Sequence, residues 1–276
     1  MAASVRAGGP PPAPAAGSRV LSIDALRGFD MLWLIGGKQA LLAFAAALHV
    51  PFLPALRAQF QHSEWLGFTF WDFIASLFLF VVGLAIPYSI EGRLKKGRTR
   101  AQAYAHIVRR TLLLFALGLV FNGILQLDFT NFRYAGVLQR IGLSYCGAAL
   151  LYMACGIRGQ AFWTAALLLG YWAAMALIPV PGFGAGVYTP EGNLAGYIDR
   201  LFLPGSFCCY VHGDNEGYLS TIPSGATVLL GVLCAHLLRS GRSHGRKLAW
   251  LGAGSAASLA LGWLWSGSFP ITSVRL

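Results

Sequence analysis

The stretch QHSEWLGFTFWDF sets a histidine, His62, ten residues ahead of an aspartate, Asp72. An imidazole, with an unperturbed pKa near about 6.5, can act as a general base at neutral pH, or as a nucleophile that accepts a group and passes it on. Asp72 falls within a long apolar run. A carboxylate there must be paired or protonated, and the partners within reach are Lys38, Arg140 and His62 itself. If ionised, it would orient the imidazole and favour its charged form.

Other polar residues fall where apolar ones are expected. In SIDALRGFDMLWLIGGKQA, Asp24 and Arg27 stand one turn apart, and Lys38 follows Arg27 by eleven residues. In an uninterrupted helix eleven residues make about three turns, which puts Arg27 and Lys38 on one face roughly 16 Å apart. GVLQRIGLSY places Gln139 and Arg140 a turn inside another apolar segment, level with Asn122 and Gln126 at the end of the one before it. Segment 180–220 carries Glu191, Asp199, Asp214 and Glu216 and is too long to be a plain connector, so it is expected to cap a polar cavity.

These groups need a scaffold, and composition dictates which. The chain of 276 residues is 56% apolar and 11% charged, and its mean hydropathy is positive, so it is expected to be an all-α, polytopic transmembrane bundle. Seven stretches are long enough to cross a bilayer core of about 30 Å: 29–48, 67–90, 111–127, 136–155, 161–179, 221–238 and 249–267. They are continuously apolar rather than alternating, which excludes strands. Fifteen of the 21 Lys and Arg residues fall in segments on the N-terminal side of the membrane, which predicts a cytoplasmic N-terminus. The net charge of +11 is scattered over loops beside the bilayer, where it suits anionic headgroups and not a nucleic acid. Residues 1–18, rich in Pro, Ala and Gly, read as a disordered tail, and 19–276 as one membrane domain. The five cysteines read as small apolar filler, and CCYVH lacks the second ligand pair of a zinc site. Small-residue spacing such as Gly252 to Ala256 permits a homodimer.

Taken together, IDALRGFDM, QHSEWLGFTFWDF with FLFVVG, GVLQRIGLSY, and GYIDRLFLPG with NEGYLSTIPS resemble, in order and spacing, the heparan-alpha-glucosaminide N-acetyltransferase family. The resemblance implies that acetyl-CoA binds from the cytosolic side and that its acetyl group reaches a glucosamine-type amine on the far side of a bacterial inner membrane. It makes His62 the catalytic residue with Asp72 beside it. By motif position it implies that Arg27, Asn122, Gln139, Arg140 and Glu216 line the site; from the residues themselves Lys38 is expected beside the acceptor, and Asp24, Arg27 and the inner basic pair Arg109 and Arg110 on the donor side. Members of the family continue for several more spans, whereas this sequence stops at FPITSVRL, so an inactive, truncated member is one alternative. A sugar transporter is another, because transporters also place ionisable groups inside the bundle.

Overall fold

The computed structural model describes residues 21–63, 65–129 and 131–271. The expected tail, 1–18, lies outside them. Ten helices dominate: α1 Leu21–Leu32, α2 Lys38–Ala47, α3 Leu53–Gln59, α4 Phe70–Lys95, α5 Arg100–Phe121, α6 Val137–Ala154, α7 Ile157–Leu177, α8 Leu194–Phe202, α9 Thr221–Arg239 and α10 His244–Ser266. A two-residue hairpin, β1 Cys209–Tyr210 with β2 Gly213–Asp214, follows α8. The protein is a multi-pass helical membrane bundle. Six stretches are long and apolar enough to span: α1 with α2, then α4, α5, α7, α9 and α10. The expected fourth span, α6, is not among them: it is 18 residues long and has Gln139 and Arg140 buried in its first turn.

Helix α4 is the axis. At about 1.5 Å per residue its 26 residues are long enough to cross a bilayer core. It packs against α9 at a crossing where both backbones are bare. A Cβ on Gly83 would overlap the Val228 carbonyl, and one on Gly231 would overlap the Phe80 carbonyl. Lipid offers little hydrophobic drive for helix association, so close backbone approach and van der Waals contact must hold such a crossing. Around it Ile86, Ile90, Ile107, Tyr145, Ala148, Ala149, Val228, Leu229 and Val232 form the main core, drawn from α4, α5, α6 and α9. By contrast α10 buries no residue and rests lightly on α9.

Two boundaries differ from expectation, each for a local reason. The first span is not one α-helix. A π-helical turn, Trp33–Gly37, interrupts it, and Gly36 lies outside helical backbone geometry. The phase relation that put Arg27 and Lys38 on one face therefore does not hold, and Lys38 opens a separate helix. The third span begins at Arg100, eleven residues before the apolar run, because Thr99 and Gln102 form a reciprocal capping box. Arg109 and Arg110 therefore stand well inside α5 and not at its start.

At one end of the bundle, Glu91 of α4 is ion-paired with Arg239 of α9 and accepts from Tyr152 Oη of α6 at 2.7 Å. Tyr152 stacks on His236, whose Nε2 lies 2.9 Å from Gln160 Oε1 of α7. This network fastens four helices. The connections α3–α4, α5–α6 and α7–α9 meet at the opposite end, where His62 lies.

Replacing Gly231 by Val should force α4 and α9 apart and cost about 1–3 kcal/mol or more. A thermal melt in detergent should show a clear loss, while Gly252→Val on exposed α10 should leave the midpoint unchanged.

Candidate functional site

The site begins with a helix terminus. Thr69 caps α4: its hydroxyl accepts from the Asp72 backbone N–H, and its own backbone N–H donates to Asp72 Oδ2 at 3.1 Å. The Thr69 hydroxyl also lies 2.9 Å from Asp72 Oδ2. The third residue of the helix is therefore a carboxylate fixed by its own turn and favoured by the positive end of the helix dipole. Its other oxygen, Oδ1, lies 2.7 Å from Nδ1 of His62. Asp72 is 3% exposed and the His62 side chain 54%, so a buried anion holds a ring that reaches out of the protein.

A carboxylate accepts, so Nδ1 must carry the proton. The lone pair of the neutral ring is then on Nε2, to which no described residue is hydrogen-bonded. Aromatic rings pack around the pair. Trp71 lies 6.4 Å from the His62 ring and 6.5 Å from Phe60, and Phe60 lies 5.2 Å from both Phe70 and Trp33. Lys38 sits over the Trp71 ring, 4.3 Å from its centroid, so its charge is met by a π face beside the histidine. Three expected site residues, His62, Asp72 and Lys38, thus share one cluster.

A second cluster stands at the same end of the bundle. Asn122, the C-cap of α5, donates to the carbonyls of Arg133 and Ala135 and shapes the α5–α6 connection. Gln139 donates to Tyr134 O, while its buried Oε1 has no partner among the described residues. Arg140 is buried and directs its donors to Ser224 Oγ, Asn215 O at 3.1 Å and Ser220 O at 2.9 Å. It locks the long loop onto α9. Glu216 is ion-paired with Arg133. No hydrogen bond or ion pair among the described residues joins this cluster to the His62 pair.

Arg133, on the α5–α6 connection and not singled out by the sequence, is the clamp of that cluster. Its Nε and Nη2 grip the two oxygens of fully buried Asp214 at 2.7 and 2.6 Å. Burial would raise the Asp214 carboxyl, but this fork and the N–H groups of Cys208 and Glu216 hold it below the usual carboxylate range. Asp199 has no such cation opposite it. It accepts from the N–H groups of Asp214 and Tyr218, and burial pushes it up to about 6. Close by, Cys208 is disulfide-bonded and so is not the filler expected of it.

The donor-side expectations separate. Asp24 and Arg27 are both exposed on α1, and no ion pair joins them among the described residues. Arg110 lies over the Tyr145 ring, 4.4 Å from its centroid. Arg109 is exposed beside a shallow apolar groove formed by Ala105, Val108 and Leu112.

Comparison with known proteins identifies the scaffold that carries these clusters. The profile of the family described as "Heparan-alpha-glucosaminide N-acetyltransferase, catalytic" matches residues 19–264. The chain belongs to this family. It is 31% identical over 227 residues to the heparan-alpha-glucosaminide N-acetyltransferase of Mus musculus, covering 65% of this chain and 35% of that protein. It is 30% identical over 273 residues to that of Homo sapiens, covering 80% of this chain and 38% of that protein. The chain therefore spans well under half the length of these relatives.

Within this N-acetyltransferase fold, sequence reasoning passed over Asp30 and Trp33. Asp30 is 1% exposed, and neither of its carboxylate oxygens has a partner among the described residues. The signal was present: Ile23, Leu26 and Asp30 recur at helical spacing along one face of α1, and Trp33 continues that spacing into the π-helical turn.

Arg133→Ala would leave Asp214 buried and unpaired, at a cost of about 3–5 kcal/mol. Limited proteolysis should then cut within 203–217, where the parent resists cleavage.

Proposed function

We propose that the chain moves an acetyl group from acetyl-CoA to the amine of a glucosamine-type sugar, with His62 as the base. The observation that carries this reading is the 2.7 Å hydrogen bond from Nδ1 of His62 to a buried, capped Asp72. It leaves Nε2 as the basic atom at the exposed end of the pair. Membership of an N-acetyltransferase family supports the choice of reaction.

In this reading the acceptor amine attacks the thioester carbonyl as Nε2 takes a proton from nitrogen. The resulting imidazolium is held by Asp72, whose carboxylate stays ionised at the helix N-terminus. Collapse of the tetrahedral intermediate breaks the carbon–sulfur bond and forms the amide, and the thiolate of CoA leaves with a proton from the imidazolium. Lys38, 4.3 Å from the Trp71 ring centroid, is the nearest cation for the developing oxyanion. Asn122, Gln139, Arg140 and Glu216 shape the acceptor end through the loop they hold.

The donor enters from the Glu91 end, taken as cytosolic, and the acceptor waits at the His62 end, outside a bacterial inner membrane. Arg27 and the cations of the α4–α5 turn, Lys95, Lys96 and Arg98, meet the donor's phosphates. Arg109 and Arg110 stand deeper along the same route.

Membranes carrying the protein should transfer labelled acetyl from acetyl-CoA to glucosamine. His62→Ala should lower the rate by about 10²–10⁴-fold at unchanged protein yield. Full activity in that variant would remove His62 from the reaction, and sugar uptake into vesicles without any acyl donor would favour transport instead. Asp72→Asn keeps the side-chain shape but loses the charge that holds the imidazolium. It should lower kcat by about 10²-fold or more with little change in KM, as measured by steady-state kinetics over a range of acceptor concentrations.

A further inference from the structure

One face of α1 carries Ile23, Leu26 and Asp30, of which Ile23 and Asp30 are buried, and Trp33 follows Asp30 by three residues at the start of the π-helical turn. Ile23 and Leu26 pack with Leu84 of α4 and Ala235 of α9. Trp33 packs on Phe60 at 5.2 Å and on Phe70 at 5.4 Å, in the aromatic cluster that reaches His62 through Trp71. Asp30 lies between these two contacts, one turn along α1 from the indole on the side away from His62. Both of its oxygens are buried and unpartnered among the described residues, and so is Trp33 Nε1. An acceptor and a donor, each costly to leave unpaired, therefore sit one turn apart inside the bundle.

We propose that Asp30 and Trp33 form a subsite for a secondary amide, whose N–H donates to the carboxylate and whose carbonyl accepts from the indole N–H. The complementarity discriminates among ligand classes. A cation satisfies Asp30 and leaves the indole orphaned, and an anion does the reverse. An amide satisfies both. The π-helical turn Trp33–Gly37 begins at the indole and breaks the regular α-helical backbone beside the pair, a feature frequent at functional sites. Two sources of such an amide are available if the proposed reaction holds: the pantetheine arm of the donor, and the acetamido group of the product. The subsite itself does not depend on that reaction.

The test uses the full chain in lipid nanodiscs and calorimetric titration with four probes. CoA carries pantetheine amides, and adenosine 3′,5′-bisphosphate is its counterpart without them. N-acetylglucosamine carries the product amide, and glucosamine has the hydroxyls and amine alone. Asp30→Ala and Trp33→Phe should each weaken one amide probe about tenfold or more and leave the two amide-free probes unchanged. Loss confined to CoA assigns the subsite to the donor arm, and loss confined to N-acetylglucosamine assigns it to the product. Trp33→Phe keeps a ring in the aromatic cluster, so its melting temperature should match the parent's. Unchanged affinities in both variants overturn the proposal. So does an equal loss for glucosamine, or a parent that binds neither amide probe. Amide-probe losses in a protein with no transferase activity would leave the subsite standing and the proposed reaction failed.

Discussion

A single carboxylate does two jobs at the His62 end. As the third residue of α4, Asp72 closes a capping box with Thr69, which fixes where the central helix begins. As a buried anion it holds the His62 ring through Nδ1. Because both roles use one side chain, the start of the helix and the direction of the imidazole cannot vary separately. The helix dipole adds to the same arrangement by favouring negative charge there. Lys38 and the rings of Trp71, Phe60, Phe70 and Trp33 then enclose a pair whose geometry is already set.

The rest of the bundle holds this arrangement still. The glycine-lined crossing of α4 and α9 brings the two backbones together, and the Glu91–Arg239 network ties their far ends. At the near end Arg133 and Arg140 bind the long loop back onto α5, α6 and α9 through buried oxygens. Such buried charges are costly unless fully paired, and both guanidiniums are matched to carboxylate, hydroxyl or carbonyl groups. The loop is therefore a fixed part of the scaffold at this end.

Much of this was legible in the sequence. A continuous apolar run is a local property, so the helices α4, α6, α7, α9 and α10 fall close to where hydropathy puts them, and the QHSEWLGFTFWDF string placed His62 and Asp72 together. The errors have physical causes. Arg109 and Arg110 look like a loop if charge alone is read, but the Thr99–Gln102 capping box carries α5 back to Arg100. An uninterrupted helix would put Arg27 and Lys38 on one face, yet the π-helical turn Trp33–Gly37 breaks the helix between them. The partners of Arg140 lie 75 to 84 residues away, so no local pattern could name them. Asp30 was hidden by its neighbours, because the same stretch already holds the charged residues Asp24, Arg27 and Lys38.

The central claim concerns the proton on the His62 ring, and ¹⁵N NMR of the histidine-labelled protein in nanodiscs reads it directly, with His62→Gln to assign the signal. With the ring neutral at alkaline pH, the account predicts a proton on Nδ1, an unprotonated Nε2, and loss of this preference in Asp72→Asn. A proton on Nε2, or the same tautomer with and without the Asp72 carboxylate, would contradict it.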